Sequence, residues 1–249
     1  GDSHLAAFFK SYENFYNETK IENARGGLFV PLNWMEQSPY NLDEHKFFTE
    51  VSMKEGYESH IKRFKGNTPS RSKKSLCLVG LDLMGNAIIN AHGPMKPGWT
   101  NPDGSYPPGN QISPTIPIVA SSKEAEAIIG QQFLAGLEFK RKFLDHLSEQ
   151  KIWDEIYWIA TPMICERVAR YRLGDIFVNS GSQKCYNEMA QRLFDDVFSK
   201  LDESISILMQ NQLVESGFTS DRFLPGPLLF DTHVSSNYFD ETVAKIFKI

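Results

Sequence analysis

Three short apolar runs, separated by segments with helical spacing, constrain the fold of this chain more than any other feature. The runs are SLCLVGLD, EIYWIATP and SISILM, which begin at Ser75, Glu155 and Ser204. Their hydrophobicity is continuous rather than alternating, which is typical of strands buried on both faces of a parallel sheet. The sequence therefore predicts the α/β class, with three α/β/α layers around a doubly wound parallel sheet.

Helices are predicted wherever apolar residues recur at helical spacing. These segments are HLAAFFKSYENFY near the start, a long stretch after Ser121, a stretch from about Ser182 to Leu201, and YFDETVAKIF at the end. Ser121 and Glu124 have the spacing of a capping box, which marks a helix start. The segment TKIENARGG is predicted to contain a short strand that ends in a glycine pair.

Composition narrows the class of protein. The 249 residues are 41% hydrophobic and carry a formal net charge of -5, so one domain over 1–249 is predicted. The sequence has no dense Lys/Arg block of the kind that indicates nucleic-acid binding. It also has no apolar window long enough for a membrane span. Cys77, Cys165 and Cys185 lack metal-ligand spacing and are predicted to be buried thiols. We expect a soluble, cytoplasmic protein. No cofactor is expected, because phosphate-loop and metal motifs are absent from the sequence.

A proline-rich segment interrupts the alternation of strands and helices at about 90–120. It holds more than half of the 13 prolines and reads HGPMKPGWTNPDGSYPPGNQISPTIPIV from His92. Connections of this length are usually functional or disordered. Because Trp99 and Tyr106 accompany His92 here, we interpret the segment as an ordered insertion that contacts substrate, with a disordered insertion as the alternative.

The two ends of the chain carry residues suited to nucleophilic catalysis. GDSH places Ser3 at the start of the first predicted helix, and DTHVSSNYF places Asp231 and His233 before the last one. Side chains that follow parallel strands gather at one edge of a sheet. A serine, an acid and a histidine brought together there would form an acyl-transfer triad.

These end motifs resemble the first and last blocks of the SGNH (GDSL-type) hydrolases, a family of serine esterases with a flavodoxin-like fold. The resemblance implies that Ser3 is the nucleophile, that His233 is the general base and that Asp231 orients the histidine. It also implies an oxyanion hole that includes Gly26 or Gly27 from NARGG. The family's third block is normally Gly-x-Asn-Asp after a buried strand. Gly80-Leu81-Asp82 stands at that position but has Asp where the family has Asn, whereas Gly85-Asn86 has the family's residue types slightly later. Asn86 is preferred because a carboxylate cannot donate to an oxyanion.

Two features depart from the family pattern. Asp231 precedes His233 by two residues, whereas the family usually has three. The family also places its serine after a first strand, so the resemblance predicts a strand upstream of Gly1, with a vector remnant at GDS as the alternative.

The implied substrate is a short-chain ester of a small molecule or glycan, most simply an acetyl ester on a carbohydrate. His92, Trp99 and Tyr106 are predicted to contact it, because aromatic rings stack on sugars and polar groups bind their hydroxyls. An O-acetyltransferase on the same scaffold and a non-catalytic carbohydrate-binding relative are the alternatives.

Overall fold

The computed structural model of the chain describes residues 4–19, 62, 73–81, 117–209, 213–226 and 234–247. Within these ranges helices alternate with parallel strands, which confirms the prediction of a mixed α/β chain. None of the helices in this part of the chain combines the length and hydropathy needed to cross a membrane. The strand predicted over TKIENARGG lies outside the described residues, except for Thr19, which closes the first helix.

The predicted apolar runs form a parallel sheet. In the described ranges its strands are β1 (Ser75–Leu81), β2 (Glu155–Ala160) and β3 (Ile205–Leu208), with β2 in the middle. The register aligns Leu78, Trp158 and Ile207 across the sheet. Every β2 residue from Ile156 to Ala160 is buried, so both faces of the central strand are covered. This burial explains the continuous hydrophobicity of the run.

The helices of the described ranges are α1 (Leu5–Thr19), α2 (Ser122–Glu149), α3 (Glu166–Leu173), α4 (Asp175–Asn179), α5 (Ser182–Phe198) and α6 (Asp240–Phe247), with 3₁₀ turns over Asp221–Phe223 and Ser236–Phe239. The four helices predicted from the sequence are therefore confirmed. α5 ends at Phe198, earlier than the predicted Leu201, and Arg141 of α2 donates to the carbonyl oxygens of Val197 and Lys200 around this end. Those bonds satisfy acceptors at the helix end.

α2 begins at the capping box predicted from Ser121 and Glu124. The backbone N–H of Glu124 donates to Ser121 Oγ at 3.2 Å, and the Glu124 carboxylate accepts from the backbone N–H of Ala120 at 2.8 Å. Such a cap satisfies N–H groups that have no partner within the helix and typically contributes about 1 kcal/mol. The cap therefore fixes where α2 starts after the proline-rich segment.

The main core lies between the sheet and the pair formed by α2 and α5. α2 lies in the connection from β1 to β2, and α5 lies in the connection from β2 to β3. Both crossovers move in the same direction across the sheet, from β1 to β2 and from β2 to β3. Because crossovers between parallel strands are right-handed, their helices lie on the same face of the sheet. α2 and α5 contact each other along their length. Phe143 of α2 meets Trp158 edge to face, with ring centroids 6.0 Å apart.

A turn after β3 requires a glycine at position 217. The φ angle of Gly217 is 87°, in the left-handed region that L side chains rarely adopt. Asn187 of α5 donates to the Gly217 carbonyl at 2.8 Å, and a Cβ on Gly217 would lie 2.9 Å from the same amide nitrogen. The turn therefore packs against α5 only without a side chain at this position.

Gly217→Ala is expected to lower the free energy of unfolding by about 2 kcal/mol, through backbone strain and displacement of the Asn187 amide. Gly136→Ala is the matched control, because nothing lies within 4 Å of the Cβ it would add in the middle of α2. Helix propensity predicts that the control gains up to about 1 kcal/mol. Urea unfolding measures both values, and equal effects in the two variants would contradict the role of the Gly217 conformation.

Candidate active site

The residues predicted to form the active site lie outside the described ranges. They are Ser3, Asp231, His233, Gly26, Gly27, Asn86, His92, Trp99 and Tyr106. Their roles therefore stay predictions. The structure does describe the segments next to several of them, and these neighbours define the surroundings of the candidate site.

The elements that continue from the two catalytic motifs pack against each other. His4 follows Ser3 directly and is 3% exposed, and Val234 follows His233 directly and is 2% exposed. α1 begins next to His4 and contacts both α6 and the 3₁₀ turn over Ser236–Phe239. The chain segments that lead to Ser3 and His233 are thus anchored in one packed unit.

Two contacts join α1 to the C-terminal elements. The rings of Phe8 and Phe239 meet edge to face, with centroids 5.7 Å apart, and both side chains are buried. Ser11 Oγ donates to Oδ1 of Asp240, the first residue of α6, at 2.6 Å. Ser11 is 1% exposed. One apolar contact therefore joins α1 to the 3₁₀ turn, and one polar contact joins α1 to α6.

β1 is the strand that precedes the segment with the predicted oxyanion donor Asn86. It ends at Leu81 after an irregularity in pairing at Gly80, whose φ angle is 117°. Asp82 and Asn86 both follow this carboxyl end, which is the edge where parallel sheets bind ligands. Both residues lie outside the described ranges, so Asn86 stays the predicted oxyanion donor.

A cavity of about 180 Å³ lies at the carboxyl ends of β2 and β3, beside α6. Its sheet side is apolar and its helix side is polar. The lining residues are Ile159, Ala160, Leu208, Met209, Tyr238, Glu241, Thr242 and Lys245. Burial raises the pKa of the Tyr238 phenol, so this group stays protonated at neutral pH. The cavity shares the ligand-binding edge of the sheet with the end of β1.

The proline-rich segment ends at a fixed point on α5. Tyr186 Oη donates to the carbonyl of Pro117 at 3.0 Å. Ser182 Oγ accepts from the backbone N–H of Val119 at 2.9 Å and donates to the Val119 carbonyl oxygen at 3.1 Å. Ser182 and Tyr186 are fully buried. Burial raises the pKa of Tyr186, which keeps the phenol in its donating form.

The cysteines do not supply a reactive thiol. Burial and the nearby Glu155 carboxylate raise the pKa of Cys77 to about 12. Burial also raises the pKa of Cys185. Cys165 is buried, and its Sγ donates weakly to the Ser220 carbonyl oxygen at 3.6 Å. Because the thiolate is the nucleophilic form, these surroundings disfavour a thiol as the reacting group.

A charged network ties α3 to the turn that contains Gly217. The Glu166 carboxylate accepts from Ser216 Oγ at 2.6 Å and from Arg170 at 2.6 Å. Both bonds lower the pKa of Glu166, and the bond from Ser216 has the larger effect.

Among the described residues, no group of three or more His, Cys, Asp or Glu side chains is arranged to hold a metal ion.

Sequence patterns did not reveal the contacts that organise these surroundings. Ser11 and Asp240 are 229 positions apart, so no local spacing relates them. The anchoring of Pro117 by Tyr186 likewise spans 69 positions. The ion pair between Glu166 and Arg170 could have been predicted from the sequence, because opposite charges four residues apart pair on a helix.

Comparisons with protein-family models, with curated proteins and with solved structures returned no match to the chain. The geometry and chemistry of its own residues therefore carry the functional argument.

We expect the native chain to resist alkylation by iodoacetamide at neutral pH, because its thiols are wholly or partly buried and those of Cys77 and Cys185 have raised pKa values. The urea-unfolded chain serves as the control and should take up three adducts. Intact-mass spectrometry counts the adducts. Rapid labelling of Cys77 in the native chain would contradict its burial in the sheet.

Proposed function

We propose that this chain is a serine esterase of the SGNH type, with a doubly wound, three-layer α/β/α fold. The packing of α1 against α6 and its preceding 3₁₀ turn carries the proposal, because these elements continue from Ser3 and His233. A nucleophile and a base from opposite ends of a chain react only if tertiary structure brings the two ends together.

The sheet supports the same assignment. The described strands are parallel, and β2 is buried on both faces. Trp158 contacts α2 on one face, while Ile159, the next residue, lines the cavity with residues of α6. Since neighbouring residues of a strand point to opposite faces, helices on both sides of the sheet account for both contacts.

In the proposed mechanism, His233 takes the proton of Ser3 as Ser3 Oγ attacks the ester carbonyl. The alcohol leaves with a proton from His233, and water then releases the acyl group from Ser3. Asp231 holds the imidazole in the required tautomer. Backbone N–H groups of Ser3 and of Gly26 or Gly27, together with the Asn86 amide, stabilise the oxyanion.

The proposed substrate is a short acyl ester, most simply acetyl, on a carbohydrate. The segment that carries His92, Trp99 and Tyr106 combines aromatic rings with amides and carboxylates, which suits stacking on a sugar and bonding to its hydroxyls. Its end at Pro117 and Val119 is held on α5 by hydrogen bonds. An anchored end limits the chain entropy that substrate binding would otherwise cost.

A fluorophosphonate probe tests the nucleophile. We expect the wild-type chain to be labelled and Ser3→Ala to lose both labelling and esterase activity, the latter by about 10⁴-fold or more. Ser199→Ala is the matched control, since Ser199 is exposed and its Oγ donates only to the Asp196 carbonyl oxygen. Labelling of Ser3→Ala at the wild-type rate would refute the assignment, as would a wild-type chain that takes up no probe.

A chain-length series of nitrophenyl esters tests the substrate class. We expect kcat/KM to fall by about tenfold or more from acetate to decanoate, because the proposed substrate-binding segment offers polar and aromatic groups rather than an apolar face. Deletion of residues 96–113 should spare the small acetate while raising KM for an acetylated oligosaccharide. Turnover that rises toward decanoate would contradict the carbohydrate assignment.

A further inference from the structure

We propose that the cavity beside α6 binds a small amphipathic carboxylate. Its apolar tail lies on the sheet, and its carboxylate accepts hydrogen bonds from Tyr238, Thr242 and Lys245. All the lining residues belong to the described ranges. This binding site goes beyond the proposed esterase reaction and does not depend on it.

The polar side of the cavity comes from α6 and the 3₁₀ turn before it. Tyr238, Thr242 and Lys245 are four and then three positions apart, a spacing that puts side chains on one face of a helical segment. In the part of the chain that the structure describes, the polar side-chain atoms of these three residues make no hydrogen bond or ion pair. Two hydroxyl groups and one ammonium group can therefore donate to the same bound molecule.

Tyr238 is the strongest indication that a ligand binds here. It is 8% exposed, and burial raises the pKa of its phenol, so the hydroxyl keeps its proton at neutral pH. A buried hydroxyl without a hydrogen-bond partner costs free energy, and native proteins rarely contain one. Edge-to-face contacts with Phe223 and Phe239, each with ring centroids 5.1 Å apart, hold the tyrosine ring. The donor is thus in place before a ligand binds, which lowers the entropic cost of binding.

The sheet side of the cavity suits an apolar tail. Ile159 and Leu208 are register partners on β2 and β3, and both are buried. Ala160 and Met209 extend this apolar surface at the ends of the same strands. Water finds no hydrogen-bond partner on such a surface, whereas an alkyl or phenyl group gains free energy by covering it. A ligand with both an apolar and a polar end therefore matches the two sides of the cavity.

The size of the cavity and the charges around it narrow the class of ligand. A cavity of about 150 Å³ holds benzene, so the volume of about 180 Å³ found here suits a ligand of about six to ten non-hydrogen atoms. Lys245 supplies a positive charge, and hydrogen bonds to a charged acceptor are stronger than those to a neutral one. Glu241 also lines the cavity, but it is exposed to water and has an interaction of its own within the chain. A single positive charge matches a monocarboxylate better than a doubly charged phosphate.

Isothermal titration calorimetry on the full chain tests the class of ligand. The probe is hexanoate, and we expect saturable binding with a Kd of about 0.1–1 mM, which is typical of a ligand with about eight non-hydrogen atoms. Acetate lacks the apolar tail and hexanol lacks the charge, so each should bind more weakly by about tenfold or more. Hexylamine should bind more weakly still, because its ammonium group is repelled by Lys245.

Variants test which residues hold the carboxylate. Tyr238→Phe and Lys245→Met should each weaken hexanoate binding by about tenfold, since each removes a donor to a charged group. Tyr238→Phe should also keep or raise the melting temperature, because the hydroxyl that it removes is buried without a partner. Tyr186→Phe is the matched control for the phenol and should lower the melting temperature, because Tyr186 Oη donates to the Pro117 carbonyl. Lys142→Met removes an exposed lysine of α2 and is the control for charge. Both controls should bind hexanoate like the wild type.

The proposal is overturned if hexanoate shows no saturable binding up to about 10 mM. Equal affinity for hexanoate and hexanol would also overturn it, because the three donors would then contribute nothing. The same holds for wild-type affinity in both Tyr238→Phe and Lys245→Met, or for an equal loss of affinity in Lys142→Met. If Tyr238→Phe does not fold, Lys245→Met decides the matter, because Lys245 is exposed. None of these measurements uses esterase activity, so failure of the proposed function and failure of this site are distinguished.

Discussion

The fold depends on β2, the strand that pairs with a neighbour on each edge and is buried on each face. Such a strand satisfies all its backbone hydrogen bonds only when both neighbours are in register. Its side chains must also be covered by elements from distant parts of the sequence. Trp158 requires α2 on one face, and Ile159 requires a partner on the other. These two demands require packed elements on both faces of β2.

Packing of α1 against α6 and the 3₁₀ turn before it is the second constraint. α1 and α6 are remote in sequence, yet Phe8 packs on Phe239 and Ser11 bonds to Asp240. The bond from the buried Ser11 hydroxyl to Asp240 is directional, so it restricts the relative position of α1 and α6 more than apolar packing alone does.

The chemistry of the described residues points away from thiols and toward groups at the carboxyl edge of the sheet. Burial raises the pKa values of Cys77 and Cys185, which disfavours the nucleophilic thiolate. The cavity beside α6 lies at this edge, whereas the end of the proline-rich segment is held on α5. Acyl transfer by Ser3 and His233 stays our proposal for this chain.

The sequence by itself determined the local elements. Continuous apolar runs predicted the three strands, helical spacing predicted four helices, and the Ser121–Glu124 spacing predicted the start of α2, because each pattern reflects neighbours within a few residues. It also proposed the triad, through motifs at the two ends. Only the tertiary structure decided that β2 lies in the middle, that α5 holds Pro117 and Val119, and that Ser11 meets Asp240. Contacts between residues far apart in sequence leave no periodicity to detect, since they arise only when packing brings whole elements together.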